Sequence, residues 1–113
     1  ALRDTPEKYA QKYFTRDGAT LRLNERVRKM VTFRQGNLIN RDDAALLQNF
    51  DFIFCRNVLI YFNVESCRNV INIFYDSLGK GGYLLLGHSE SLYRISQIFT
   101  LVKLQHSVVY CKE

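Results

Sequence analysis

One run of six residues, Phe50-Asp51-Phe52-Ile53-Phe54-Cys55, constrains this chain more than any other feature. It is β-rich and almost continuously apolar, the pattern of a strand buried on both faces of a parallel sheet. Asn63 is then placed to cap a helix whose apolar residues Cys67, Val70, Ile71, Phe74 and Leu78 keep a 3.6-residue period. Gly79-Lys80-Gly81-Gly82 stops that helix, and Tyr83 to Gly87 forms a second buried strand. Strand, helix and strand in this order make a βαβ unit, which sets the fold class as α/β. Beyond it, Thr100 to Leu104 and Ser107 to Lys112, split by Gln105-His106, predict an antiparallel hairpin.

The first half of the chain carries weaker signals. Thr5-Pro6-Glu7 opens a helix with a threonine cap, and Tyr9, Ala10, Tyr13 and Phe14 give it one apolar face. Asp17-Gly18 is a turn that ends it. Ala19 to Leu23 alternates weakly, Val31-Thr32-Phe33 predicts a short strand leading into Gln35-Gly36-Asn37-Leu38, and Asp42 to Gln48 can form a short helix. At 113 residues the length accommodates one domain.

Composition excludes several classes. With 47% hydrophobic and 24% charged residues the chain is globular and not disordered. No apolar run approaches the ~20 residues that span a bilayer, and no basic-then-apolar leader opens the sequence, which predicts a soluble domain without membrane insertion. Cys55, Cys67 and Cys111 are too few and scattered for a disulfide framework, and with His88 and His106 far apart no metal is expected. The net charge of +5 raises the possibility of a nucleic-acid partner. Its basic residues are dispersed among acids, without the interleaved aromatics of an RNA-binding surface, so no nucleic acid is expected.

In an open α/β sheet, ligands bind outside the carboxyl ends of the strands. Arg56-Asn57, with Tyr61 close behind, follows the first buried strand; His88-Ser89-Glu90-Ser91 follows the second; Asn37-Leu38 follows the candidate strand at Val31. Each set holds polar groups where a ligand would sit, although a turn-forming Asn57 and a core Tyr61 would look the same. Gly87-His88-Ser89-Glu90-Ser91 lacks the second glycine of a nucleophile elbow, which argues against a serine hydrolase. A cysteine inside a buried strand is an inert thiol. The chain has neither a GxGxxG nor a P-loop, and so no phosphate cradle.

At these same residues the chain resembles a known family. Phe50-Asp51-Phe52-Ile53-Phe54-Cys55-Arg56-Asn57-Val58-Leu59-Ile60-Tyr61-Phe62 is similar to the signature of CheR-type chemotaxis receptor methyltransferases. Gly81 to Leu92, Val31 to Leu38, and the closing Val108-Val109-Tyr110 with Lys112 resemble further blocks of that family in order and spacing. The resemblance implies a partial Rossmann-like, class I methyltransferase domain, with residues 1–113 forming its C-terminal half. It implies S-adenosylmethionine as cofactor, bound by Asn37, Leu38, Arg56 and Asn57, with Tyr61 near the transferred methyl as the catalytic residue.

It further implies methylation of glutamate side chains on the acidic cytoplasmic helices of chemoreceptors, in the bacterial cytoplasm. The family's glycine-containing cofactor loop, ribose-gripping acid and N-terminal helical domain have no counterpart in these residues. The 113-residue chain by itself is therefore expected to bind cofactor weakly, to be inactive, and to self-associate through exposed sheet edges. The alternative is a non-catalytic signalling module that keeps the fold.

Overall fold

The computed structural model describes residues 2–40, 42 and 47–113, and divides into two compact units, Ala1–Gln35 and Gly36–Glu113. In the first, helix α1 (Glu7–Tyr13) leads into a hairpin of β1 (Phe14–Asp17) and β2 (Thr20–Leu23), followed by the short α2 (Glu25–Arg28). The sequence expectation needs correction here. Pro6, not Thr5, occupies the N-cap position, and no side chain caps the helix. Phe14 leaves the helix to pair with Leu23 in the hairpin. Extended backbone suits the Phe14-Thr15 pair, and Gly18, at a φ of 63°, supplies the left-handed turn that reverses the chain.

Val31-Thr32-Phe33 is not a strand: the segment forms no ladder, and Phe33 is 91% exposed. Three β-prone residues do not make a strand without a neighbour to receive their backbone hydrogen bonds. The short helix expected over Asp42–Gln48 lies largely outside the described residues.

The second unit holds β3 (Phe50–Cys55), a 3₁₀ turn (Leu59–Tyr61), helix α3 (Val64–Ser77), β4 (Leu78–Leu86), β5 (Thr100–Lys103) and β6 (Val108–Cys111). Its sheet has the order β3-β4-β6-β5. β3 and β4 are parallel, with Ile53 opposite Leu84 and Cys55 opposite Leu86, as the βαβ reading requires. The predicted hairpin forms, and its second strand is the one that joins the sheet, antiparallel to β4. The Asn63 side chain accepts from the Ser66 amide at 2.8 Å, so the expected cap is in place. The helix ends at Ser77, and Leu78 through Gly82 already belong to β4.

Cys67, Val70, Ile71, Phe74 and Leu78 are all buried, together with Cys55, Leu84 and Tyr110. Phe99 stands edge-on to both Tyr75 and Tyr110. Lys112 donates to the carbonyls of Tyr75 and Leu78, each at 2.8 Å, and so satisfies acceptors at the C-terminal end of α3.

β3 is not buried on both faces. Ile53 and Cys55 turn toward the core, while Phe52 is 58% and Phe54 68% exposed. A strand alternates its side chains between two faces, and in this unit one of them packs on the buried cluster while the other meets solvent. Phe52 stacks instead on its register neighbour Tyr83, with ring centroids 6.0 Å apart.

Candidate functional site

Because β3 and β4 are parallel and in register at Cys55 and Leu86, the turns that follow them emerge side by side. The hairpin tip between β5 and β6 lies at the same end, since β6 runs antiparallel to β4. Between these segments opens a cleft of about 470 Å³ lined by Arg56, Gly87, His88, Glu90, Lys103 and His106, among others. Its ionisable lining is mostly cationic or imidazole, with Glu90 as the acidic member.

Asn57 holds a left-handed backbone with φ of 60°, a conformation that asparagine tolerates better than most residues. Its amide donates to Glu90 Oε1 at 2.8 Å. The Gly87 amide donates to the same oxygen at 2.8 Å, and the Leu59 amide to Oε2 at 3.0 Å. The Glu90 amide in turn donates to the Gly87 carbonyl at 3.0 Å. One carboxylate thus ties the end of β3, the following 3₁₀ turn and the end of β4. Gly87 is buried at the centre of this arrangement. A Cβ there would lie 2.7 Å from Glu90 Oε1 and 3.0 Å from the Asn57 nitrogen, and closer still to Asn57 Oδ1.

Leu59 is buried while Tyr61, two residues on, is 80% exposed, so the reading of Tyr61 as a core residue does not hold. Arg56 and Asn57 are exposed at the sheet's carboxyl edge, and Arg56 lines the cleft. Asn37 accepts the Ile39 amide on its side-chain oxygen at 3.0 Å, and Leu38 packs against the core cluster that contains Cys55 and Leu59. These two follow an irregular segment where a strand end was expected. Asn37, Leu38, Arg56, Asn57 and Tyr61 accordingly belong to one compact unit, but of the five only Arg56 lines the cleft; Asn57 is joined to that end through Glu90, and Asn37, Leu38 and Tyr61 lie outside the lining.

Sequence reasoning missed the role of Glu90, which it grouped only with the polar residues after the second strand. The available signal was a carboxylate three residues beyond a strand-ending glycine, Gly87-His88-Ser89-Glu90. Its backbone donors at Asn57 and Leu59 lie more than thirty residues away in sequence.

Burial, the nearby Glu90 carboxylate and Cys67 push the Cys55 thiol up from 9.0 to about 11. Burial and then Glu90 raise Cys67 as well, and its thiol donates to the Leu59 carbonyl at 3.5 Å. Both thiols stay protonated at neutral pH, as inert core cysteines do. Alkylation of the native protein at about pH 8 should label half-buried Cys111 first and Cys55 last, read by peptide mass spectrometry. Comparable rates at the two sites would refute a closed core. Unfolding returns Cys55 to its ordinary value, so its stabilising contribution is full below pH 9.0 and is lost as pH rises towards 11.

This mixed sheet, whose parallel pair ends in polar turns beside a cleft, is consistent with a part of the class I methyltransferase fold. The family described as CheR methyltransferase, SAM binding domain, matches residues 1–108, and the chain belongs to that family. It is 42% identical over 113 residues to chemotaxis protein methyltransferase 2 of Vibrio cholerae serotype O1, covering 99% of this chain and 39% of that protein. It is 44% identical over 90 residues to a chemotaxis protein methyltransferase of Vibrio parahaemolyticus, covering 80% of this chain and 32% of the relative. Chemotaxis protein methyltransferase 1 of Pseudomonas aeruginosa is 37% identical over 107 residues, which are 94% of this chain and 38% of that protein. The chain therefore spans about a third to two-fifths of the length of these relatives. Among the described residues no helix is long and apolar enough to cross a membrane.

Arg56 and Asn57, at the carboxyl edge of β3, fit S-adenosylmethionine in kind. Leu38 is half-buried and packs on the core cluster, beside Asn37 in sequence and outside the cleft lining. Asparagine side chains both donate and accept toward hydroxyls and amino groups, and a guanidinium matches a carboxylate.

Proposed function

We propose that the protein carrying this chain transfers methyl groups from S-adenosylmethionine to glutamate side chains on the cytoplasmic helices of chemoreceptors. Residues 1–113 supply the C-terminal half of its catalytic domain, working in the bacterial cytoplasm. The observation that carries this reading is the placement of Arg56 and Asn57 at the carboxyl edge of a parallel strand pair, in a chain of the CheR family.

Asn37, Leu38, Arg56 and Asn57 would hold the cofactor, which supplies an electrophilic methyl on a sulfonium. A glutamate carboxylate, with a reference pKa of ~4.3, is already ionised at neutral pH and needs no general base. The chain's work is then alignment: exposed Tyr61 orients the accepting carboxylate near the methyl, and Asn57 fixes the cofactor's position. Arg56 and Lys103 around the cleft favour the approach of acidic side chains.

Methyl transfer from labelled cofactor to receptor fragments by the full-length protein tests the reading. Incorporation into glutamates is expected, and Asn57→Ala should weaken cofactor binding by about tenfold or more. Normal cofactor binding with no incorporation would instead indicate a non-catalytic module. The 113-residue chain alone should self-associate, because β3 is an edge strand with Phe52 and Phe54 exposed. A monomer by light scattering at micromolar concentration would contradict that.

A further inference from the structure

Glu90 does more at this edge than end a loop. Its two carboxylate oxygens receive the backbone amides of Asn57 and Gly87, both at 2.8 Å, and of Leu59 at 3.0 Å. Hydrogen bonds to an ionised acceptor are about twice as strong as neutral ones. A left-handed Asn57 is strained and persists only where its surroundings hold it, and its amide is one of the three on Glu90. The space a Cβ would take at Gly87 is occupied by the Glu90 and Asn57 side chains, so the two strand ends approach as closely as backbone permits.

We propose that Glu90 is a positioning residue, whose carboxylate clamps the turn bearing Arg56 and Asn57 to the end of β4 and so sets the geometry of the cofactor edge. The proposal rests on the assignment of Arg56 and Asn57 to the cofactor. Glutamate is required because both oxygens must accept. A glutamine in its place keeps the shape but presents an NH₂ group to at least one of the three amides.

The test is Glu90→Gln in the full-length protein, with S-adenosylhomocysteine as the calorimetric probe, at a temperature where both proteins are fully folded. Affinity should fall about tenfold or more, and amide hydrogen exchange should quicken at Asn57, Leu59 and Gly87 while the α3 amides keep their protection. A purely structural glutamate would lower the melting temperature and leave the affinity of the folded protein unchanged, and equal affinities overturn the positioning role. If the wild-type protein neither binds the probe nor transfers methyl, the methyltransferase reading fails. Selective exchange at the three amides would then still support the clamp, and unchanged exchange would overturn it.

Discussion

Gly87→Ala should lower both stability and cofactor affinity sharply. The added methyl would meet Glu90 Oε1 at 2.7 Å and the Asn57 backbone nitrogen at 3.0 Å. Side-chain ends can swing aside, but the backbone nitrogen moves only if the end of β3 moves with it. Overpacking of this kind typically costs about 1–3 kcal/mol. Displacing the carboxylate also weakens charge-assisted bonds worth about 1.5–3 kcal/mol each. A combined loss of about 3 kcal/mol would depress the melting temperature by roughly 10–20 °C in a unit of this size. Cofactor affinity, measured well below the transition, should fall by at least about tenfold, since Asn57 is displaced. A variant with wild-type melting temperature and affinity would show that the strand ends are not so tightly joined.

Leu84→Ala carries the second large effect. Leu84 is 0% exposed and lies at the middle of the sheet, in register with Ile53 on one side and Tyr110 on the other. Truncating a buried leucine removes its transfer energy and leaves a cavity, together about 2–5 kcal/mol. Domains of this size hold only about 5–15 kcal/mol in total, so the variant should unfold at a clearly lower denaturant midpoint. Leu101→Ala is the control. At 48% exposed on the edge strand β5, it should change stability by about 0.5 kcal/mol or less. Similar midpoints for the two variants would contradict a core centred on Leu84.

Local patterns were legible from the residues alone. The period of Cys67, Val70, Ile71 and Phe74, the cap at Asn63 and the hairpin around Gln105-His106 all depend on near neighbours and form as read, whereas Leu78, read as the last residue of that helical face, is buried as the first residue of β4. The family blocks were equally legible, because motif spacing is a property of the chain. Phe14 and Val31 misled for a common reason. A strand exists only if a neighbour accepts its hydrogen bonds, and Phe14 has one in Leu23 while Val31 forms no ladder.

What the sequence determined by itself was the strand–helix–strand order from Phe50 to Leu86, the hairpin after it and the residues that line up on one helix face, since these follow from periods of two and 3.6. Tertiary structure alone decided which face of β3 would be covered: Phe52 and Phe54 are as apolar as Ile53, yet only Ile53 packs on the core. It also decided what Glu90 does. A carboxylate's role is set by the donors that reach it, and two of these three come from Asn57 and Leu59, brought near only when β3 and β4 pair in register.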